Sequence, residues 1–386
     1  MTTAYIVDAV RTAGGRRNGK LSHIHPTDLG ASVVNALLAR TKIDPNVIDD
    51  VIFGCVTQGG EQSFALARNV VLASELPVHV PGVTIDRQCG SSQQALHFAV
   101  QAVLSGFQDV VIAGGVESMS RVPMGSNWTA YAKAGLNSHP FSEQIQQRFG
   151  VSMFSQFVGA EMIANKYHQT REQLDAYALL SHQRAIQATE QGWFQQEIVP
   201  IAIEGGLHSL DEGIRFNASL ASMADMQTLQ ENGVITAANA SQICDGASAV
   251  LVVNEKALKQ YGLTPLARIV QLTVTAGDPV IMLEEPIFAT QKALKAAGLQ
   301  VQDIDLAEVN EAFAPVPLAW AQVLEFDPAK MNRFGGGIAL GHPLGASGTK
   351  LMATLVHGLK REGKRYGLQT MCEGGGMANV TIVEAC

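Results

Sequence analysis

Charge is scarce in this chain, and cysteine never occurs in a bonding pattern. Only 16% of the 386 residues are Asp, Glu, Lys or Arg, against 47% apolar. That balance argues against a disordered or fibrous chain and fits a well-buried enzyme. A basic excess is also missing, since the formal net charge is -8. A nucleic-acid binder needs a basic face, so no nucleic-acid partner is expected. Small anionic ligands stay open, because a few placed Arg or Lys residues bind them locally. The five cysteines (Cys55, Cys89, Cys244, Cys372 and Cys386) include no Cys-x-x-Cys pair, and no His cluster has zinc spacing. No metal site is therefore expected, and an odd number of free thiols suits a reducing, cytoplasmic location. No apolar run approaches ~18 residues, so no membrane span is expected. The N-terminus has only Arg11, Arg16 and Arg17 near it and no long apolar core, so no signal peptide is read.

The length is large for one core, which makes two or more domains the default. The first segment alternates. Tyr5 to Ala9 reads as a strand, Thr27 to Ala39 as a helix behind Pro26, and Val51 to Gly54 as a strand. Ser91 to Leu104 has helical apolar spacing through Ala95, Phe98, Ala99, Ala102 and Val103. Val110 to Ala113 is a fully apolar strand that the pattern ends at Gly114-Gly115. Continuous apolar strands between helices predict a parallel sheet covered on both faces. The last segment repeats the pattern: a helix over Ile287 to Ala297 between Pro286 and Gly298, a strand over Leu306 to Val309, a helix over Ser347 to Leu359, and a strand over Leu368 to Cys372. The two segments share a register, which implies an internal duplication of two α/β halves about a pseudo-two-fold axis. Between them, residues 121–240 break the alternation. Loops are predicted over Pro123 to Pro140, one helical run over Glu161 to Glu190, and more loop through Asn217. Ala249 to Val253 is predicted to return to the first sheet.

Four short stretches carry chemistry. In Asp86-Arg-Gln-Cys-Gly-Ser-Ser92, Cys89 follows the apolar strand Val83 to Ile85 and precedes a helix. A thiol at a helix N-terminus sees the positive end of the peptide dipoles, which favours thiolate, and the free amides can hold an oxyanion. The plain alternative is a buried structural thiol. His342, in Gly341-His-Pro-Leu-Gly-Ala-Ser-Gly348, is either a satisfied core group or a proton acceptor. Its flanking glycines imply close backbone approach to another segment or to a ligand. Cys372, in Met371-Cys-Glu-Gly-Gly-Gly-Met377, is core packing or a second thiol with a pKa near working pH. Asn310, in Val309-Asn-Glu-Ala-Phe-Ala314, is a helix cap or a group that orients a water. The runs Gly335 to Gly337 and Gly374 to Gly376 lack phosphate-loop spacing, and Gly205-Gly206 reads as a turn. His23, His25, His79 and His139 fall in loops and receive no role.

In this order and spacing, the four stretches resemble the thiolase family from about Ile6 to the C-terminus. Its Cys-Gly-Ser-Gly is matched by Cys89 to Ser91 and departs at Ser92. Its Asn-Glu-Ala-Phe-Ala is matched by Asn310 to Ala314, and its Gly-His-Pro-x-Gly-x-Ser-Gly by Gly341 to Gly348. Its terminal Cys-x-Gly-Gly-Gly-Met-Gly is matched from Cys372 to Met377. Ala378 replaces the last glycine, and Glu373 stands where the family commonly has an apolar residue.

The resemblance implies an α/β thiolase fold of two duplicated βαβαβαββ halves in five αβαβα layers, with an inserted loop domain. The N-terminal half would be 1–117 plus 243–265, the coenzyme A-binding loop domain 118–242, and the C-terminal half 266–386. The implied reaction is coenzyme A-dependent cleavage of a 3-ketoacyl-CoA to acetyl-CoA and a shortened acyl-CoA, as in β-oxidation. Cys89 would be the nucleophile, His342 its activator, Cys372 the acid/base, and Asn310 the holder of a water. The backbone amides of Cys89 and Gly374 would form a second oxyanion site. Arg215, Ser222, Met223, Ser241, Ala312 and Phe313 would bind coenzyme A, which is a substrate, so no cofactor is expected. A homodimer or homotetramer pairing the first halves is implied, and a β-oxidation hydratase/dehydrogenase partner stays open.

The family segment His-Met-Gly-x-x-Ala-Glu reads Ser155 to Glu161 here, which points to a larger or different acyl chain. A further resemblance is to bacterial thiolases that shorten steroid side chains. It rests on Arg17-Asn18-Gly19, Cys55 to Gln58, Gly60 to Ser63, and Gln88 to Ser91 with Gln93-Gln94-Ala95. These stretches also occur in general acetyl-CoA acyltransferases. Two alternatives are biosynthetic condensation of two acetyl-CoA on the same site and a non-catalytic acyl-CoA or lipid carrier. A ketoacyl synthase is disfavoured, because that relative usually has histidine at the second cysteine.

Overall fold

Apolar runs separated by caps and turn residues fold as strand–helix units. The computed structural model describes residues 3–386. Its first half runs β1 (Ala4–Thr12), α1 (Pro26–Thr41), β2 (Asp50–Gly54), α2 (Leu66–Ala73), β3 (Gly82–Ile85), α3 (Ser91–Ser105) and β4 (Val110–Ser118). The inserted region carries α4 (Gln156–Lys166) and α5 (Arg171–Glu190), after which β5 (Cys244–Asn254) completes the half. The second half runs β6 (Ala267–Ala276), α6 (Glu285–Ala297), β7 (Leu306–Val309), α7 (Pro315–Leu324), α8 (Ser347–Glu362), β8 (Tyr366–Glu373) and β9 (Met377–Ala385).

The nine strands hydrogen-bond in the order β7-β8-β9-β6-β1-β5-β4-β2-β3. In the sheet, the halves join where β1 meets β6, through Tyr5↔Arg268 and Ile6↔Ala267. The duplication is visible in the pairing: β2 runs parallel to β4 as β7 does to β8, and β5 returns antiparallel to β4 as β9 does to β8. In the second half, the counterpart of β3 shrinks to one parallel bridge, Ala307↔Met331. Asn332, at φ 46°, turns the chain away there and satisfies both Val309 backbone groups with its side chain.

Three apolar layers hold five structural ones together. α1 and α2 cover the outer face of the first half through Val33, Leu37, Phe53, Val70 and Val110. α6 and α7 cover the outer face of the second through Ile287, Ala293, Val309 and Trp320. α3 and α8 lie between the two half-sheets, with Leu96, Val100, Leu355, Val356 and Leu359 in one cluster. α8 is buried from Ser347 to Leu359, and each of its buried Leu, Met and Val side chains contributes roughly 1.5–3 kcal/mol. The inserted region is tied to β1 by the fully buried Arg11, which pairs with Glu197 at 2.5 Å and Asp211 at 2.8 Å. Paired burial of this kind fixes geometry more than it adds stability.

The structure corrects several expectations. The sheet is mixed, not parallel, because β9 returns through a tight turn at Gly375 (φ 84°) and Gly376 (φ 77°), and a short turn gives an antiparallel neighbour. β4 does not stop at Gly114-Gly115 but continues, buried, to Ser118. Those glycines mark close approach: a Cβ at Gly115 would sit 2.1 Å from the Gly345 carbonyl oxygen. The single run over Glu161 to Glu190 breaks into α4 and α5 at His168 (φ 55°), and Thr170 with Gln173 forms a capping box that restarts the helix. The loop over Pro123 to Pro140 contains a helix at Ser126–Lys133. The stretch leading to Asn217 contains a two-stranded hairpin, Ile201–Ile203 with Gly206–His208, turned at Glu204-Gly205. Among the described residues, no helix is long and apolar enough to cross a membrane.

Candidate active site

The ends of β4, β7 and β8 and the starts of α3 and α8 converge between the two halves. Cys89 sits on a tight turn before α3. Gln88 takes φ 49°, Gly90 N–H donates to the Arg87 carbonyl at 3.1 Å, and Ser91 Oγ donates to the Gln88 carbonyl at 2.6 Å. A non-glycine residue at positive φ is locally strained, and here it sets the presentation of the next residue's thiol. α8 starts beside α3: the Thr349 amide, one of the first-turn donors with no helical partner, donates to Ser92 Oγ at 3.0 Å. Ser92 therefore couples the two helix starts, which explains a polar residue at full burial there.

His342 is buried, and the hydrogen-bond pattern fixes its tautomer. Ser347 Oγ donates to the Pro343 carbonyl at 2.9 Å, so it accepts from His342 Nδ1 at 2.5 Å. Nε2 is left as an acceptor facing the Asn310 amide, at 3.4 Å. Burial, with Lys350 adding, lowers the imidazole pKa to about 3, so His342 is neutral at working pH. Lys350 itself donates to the Leu340 and Gly341 carbonyls at 2.7 and 2.9 Å, anchoring the start of the histidine loop. The close approach implied by the flanking glycines is to another segment. A Cβ on Gly345 would lie 2.6 Å from Cys55 Cα and 2.8 Å from Glu117 Oε2.

Cys372 is fully buried one residue before Glu373, whose carboxyl lies against Gly90, the residue after Cys89: a Cβ on Gly90 would sit 1.9 Å from Glu373 Oε1. Both cysteines are thiols at rest. Burial first, then the Glu373 carboxylate, pushes Cys89 up to about 12. Burial first, then Cys89, pushes Cys372 well above the ordinary thiol range. This overturns two expectations. Cys89 at its helix start is held as a thiol by burial, and the Glu373 carboxyl adds to this once it is ionised. Cys372 does not titrate near working pH, because it is deeper still. Gly374 lies beside the same turn: a Cβ there would meet Gln88 Oε1 at 2.9 Å.

Asn310 ends β7, with its N–H donating to the Thr370 carbonyl at 3.0 Å. Backbone pairing brings part of the inserted region to it. Ser241 N–H donates to the Ala312 carbonyl at 2.9 Å, Ala314 N–H donates to the Asn239 carbonyl at 2.9 Å, and Ala240 bridges Phe313. A Cβ on Gly337 would touch both Ser241 Cβ at 3.5 Å and Asn310 Oδ1 at 3.6 Å. Ala312 and Phe313 are buried, and Phe313 packs edge-on against Phe157 at 5.6 Å. Arg215 and Ser222 are exposed and make no hydrogen bond to this cluster. The Ser222 hydroxyl donates to the Ser219 carbonyl inside a capping box, and the Met223 side chain is buried with the second-half core.

Sequence reading missed the carboxylates that hold the loops. Glu117 accepts from the amides of Val56, Thr57 and Gly345 at 2.9, 3.0 and 2.8 Å and from Gln62 Nε2 at 3.0 Å. It thereby fastens the histidine loop to the end of β2. Glu311 accepts from Tyr177, Ser181, Asn332 and the Ile338 amide, at 2.8, 2.7, 3.2 and 3.0 Å. Glu117 shows in the sequence as a lone carboxylate in an apolar run, and Glu311 as the glutamate of Asn310 to Ala314. Among the described residues, no group of three or more His, Cys, Asp or Glu is placed to hold a metal ion.

The whole chain is similar to known proteins. The family model described as "Thiolase, N-terminal domain" matches residues 4–256, and "Thiolase, C-terminal domain" matches 263–385. A steroid 3-ketoacyl-CoA thiolase of Mycobacterium tuberculosis is 53% identical, over 100% of this chain and 94% of the relative. A 3-ketoacyl-CoA thiolase of Vibrio cholerae is 41% identical over 100% of both. The solved structure of human mitochondrial 3-ketoacyl-CoA thiolase in complex with CoA superposes with a TM-score of 0.90. It is 37% identical and is matched over 100% of this chain and 98% of its own.

Proposed function

This chain belongs to the thiolase family, and from that premise we propose that it is a 3-ketoacyl-CoA thiolase working through an acyl-Cys89 intermediate. The observation that carries the reading is the neutral His342, whose Nε2 is an acceptor met by the Asn310 amide at 3.4 Å, in a chain that also holds two protonated thiols at the Cys89 turn and the end of β8. A protonated thiol needs a base, and a neutral imidazole is one; the thiolate and imidazolium that form stabilise each other as an ion pair.

Cys89 gives its proton to His342 Nε2, and its sulfur attacks the 3-keto carbon. The amides of Cys89 and Gly374 hold the resulting oxyanion. Collapse breaks the C2–C3 bond, and the electron pair passes into the acetyl-CoA enolate. The enolate oxygen is held by the new His342 Nε2–H and by a water on Asn310, and Cys372 protonates C2. Coenzyme A then gives its thiol proton to the Cys372 thiolate and attacks the acyl-Cys89 carbonyl. The departing Cys89 sulfur takes back the proton from His342. Electrostatic preorganisation at two oxyanion sites is the largest contribution such a site makes. The inserted region, 118–242, would hold the coenzyme A arm through Arg215, Ser222, Met223 and Ser241, with Ala312 and Phe313 as its wall.

The acyl group is proposed to be medium-chain, branched or bulky. Support comes from Ser155-Gln156-Phe157 in place of His-Met-Gly and from the named substrate class of the 53% identical relative. Thiolysis of acetoacetyl-CoA is to be compared with that of longer and ring-bearing 3-ketoacyl-CoA. The expected result is a kcat/KM at least about tenfold higher for the larger substrates, the worth of one or two methylenes in a pocket. Activity confined to acetoacetyl-CoA would leave the biosynthetic reading standing instead.

The assembly is proposed to be a homo-oligomer paired through the first halves. β3 ends the strand series with an open edge, and Phe64, Val78 and Val83 near it are exposed. Light scattering on the purified enzyme is expected to give at least twice the chain mass, and a monomer would remove the proposal.

A further inference from the structure

Glu373 is a buried carboxyl with nothing to bind. It is fully buried, and neither Oε1 nor Oε2 has a hydrogen-bond partner among the described residues. Strand alternation turns it to the face of β8 opposite Cys372, against the turn that presents Cys89. A Cβ on Gly90 would lie 1.9 Å from Glu373 Oε1 and 2.8 Å from Asn379 Nδ2. The carboxyl thus occupies the space that the missing side chain leaves, while Asn379 holds the Gly90 carbonyl at 3.1 Å.

The charged and titratable groups around it are few. Asp86, Arg87 and Cys89 come from the turn, Cys372 from β8 and His97 from α3. Arg87 forms no ion pair with it; its Nε is buried without a partner, and its Nη1 meets Met377 Sδ at 3.7 Å. His97 bonds Thr381 Oγ1 at 2.9 Å, and burial, then Arg87, lowers it to about 3, so it brings no charge. An unpartnered buried carboxylate is strongly disfavoured. Burial raises Glu373 to about 8, with Arg87 opposing and Asp86 adding.

Resting on the reading of Cys89 as the nucleophile, we propose that Glu373 is a positioning residue for Cys89. As the neutral acid it leaves the start of α3 free to stabilise charge on the sulfur and on the oxyanion. As the carboxylate it places a competing negative charge there and suppresses both. The sign follows. Below about pH 8 Glu373 is protonated and Cys89 works; as pH rises through 8 the carboxylate forms and the nucleophile is switched down. The alkaline limb of the rate profile therefore belongs to Glu373 and not to the thiols.

The test follows acetylation of Cys89 by acetyl-CoA in the full-length enzyme. Intact-mass and peptide mass spectrometry would be used across about pH 6.5 to 10, for wild type, Glu373→Gln and Glu373→Met. Gln keeps the shape without the charge, and Met keeps the volume without hydrogen bonding. The wild-type rate is expected to fall above pH 8. Both variants are expected to keep rising, reaching about tenfold over wild type at pH 9, the worth of one pKa unit. Parallel profiles in all three proteins, at whatever absolute rate, would mean that Glu373 only packs and would overturn the proposal. Absence of Cys89 acetylation in the wild type itself would overturn the nucleophile reading on which the proposal rests, so the two failures are told apart.

Discussion

Cys89→Ala is expected to lose thiolysis by about 10^4-fold or more, since removing a covalent nucleophile leaves only binding and oxyanion stabilisation. No other thiol can take its place. Cys372 is buried on β8, Cys55 packs against Glu117, Cys244 is buried on β5, and Cys386 is at the chain end. The cost to the fold is expected to be small, because the turn is held by Ser91, Asp86 and Asn379 and not by the Cys89 sulfur. Thiolysis rates and a melting curve on the same preparation check this. A variant that melts like wild type but keeps more than about a tenth of its kcat would exclude an acyl-Cys89 pathway.

Cys372→Ala is expected to separate the two halves of the reaction. Carbon–carbon cleavage needs an acid at C2, and a thiol held well above its ordinary pKa keeps its proton for that step. Without it, cleavage of 3-ketoacyl-CoA is expected to fall by about 10^2–10^4-fold, the usual contribution of a positioned general acid. Acetyl transfer from acetyl-CoA to Cys89 has no carbon to protonate. His342, once it holds the Cys89 proton, can return it to the departing coenzyme A sulfur, so this step is expected to stay within about tenfold of wild type. Rapid-quench mass spectrometry of Cys89 beside a steady-state cleavage assay measures both. Equal losses in the two steps would assign Cys372 a role in positioning Cys89.

Much of the fold was legible because its signals are local. Pro286 in the first turn and Gly298 just past the end mark α6, α3 begins at Ser91 as its apolar spacing requires, and β5 returns to β4 and β1 as its unbroken apolar run implied. The misreadings share one cause. Gly114-Gly115 looked like a strand end, because glycine in a turn and glycine under a crossing backbone are the same letter. The crossing Gly345 carbonyl is visible only in the folded chain. The helix break at His168 carries no proline or glycine, so periodicity ran through it.

The sequence alone determined which atoms can react. Two thiols, an imidazole and a carboxamide each sit in a few residues whose backbone habits, a helix start or a strand end, are encoded by their immediate neighbours. The tertiary structure alone decided what state those atoms are in. Ser347 and Asn310 assign the histidine tautomer, and burial, complete at Cys372 and partial at Cys89, raises both thiols. Glu117 fastens the loops, and Glu373 reaches Cys89 across the interface between the halves. Desolvation and Coulomb interaction depend on every group within several ångströms, whatever its place in the chain, so no local pattern could have reported them.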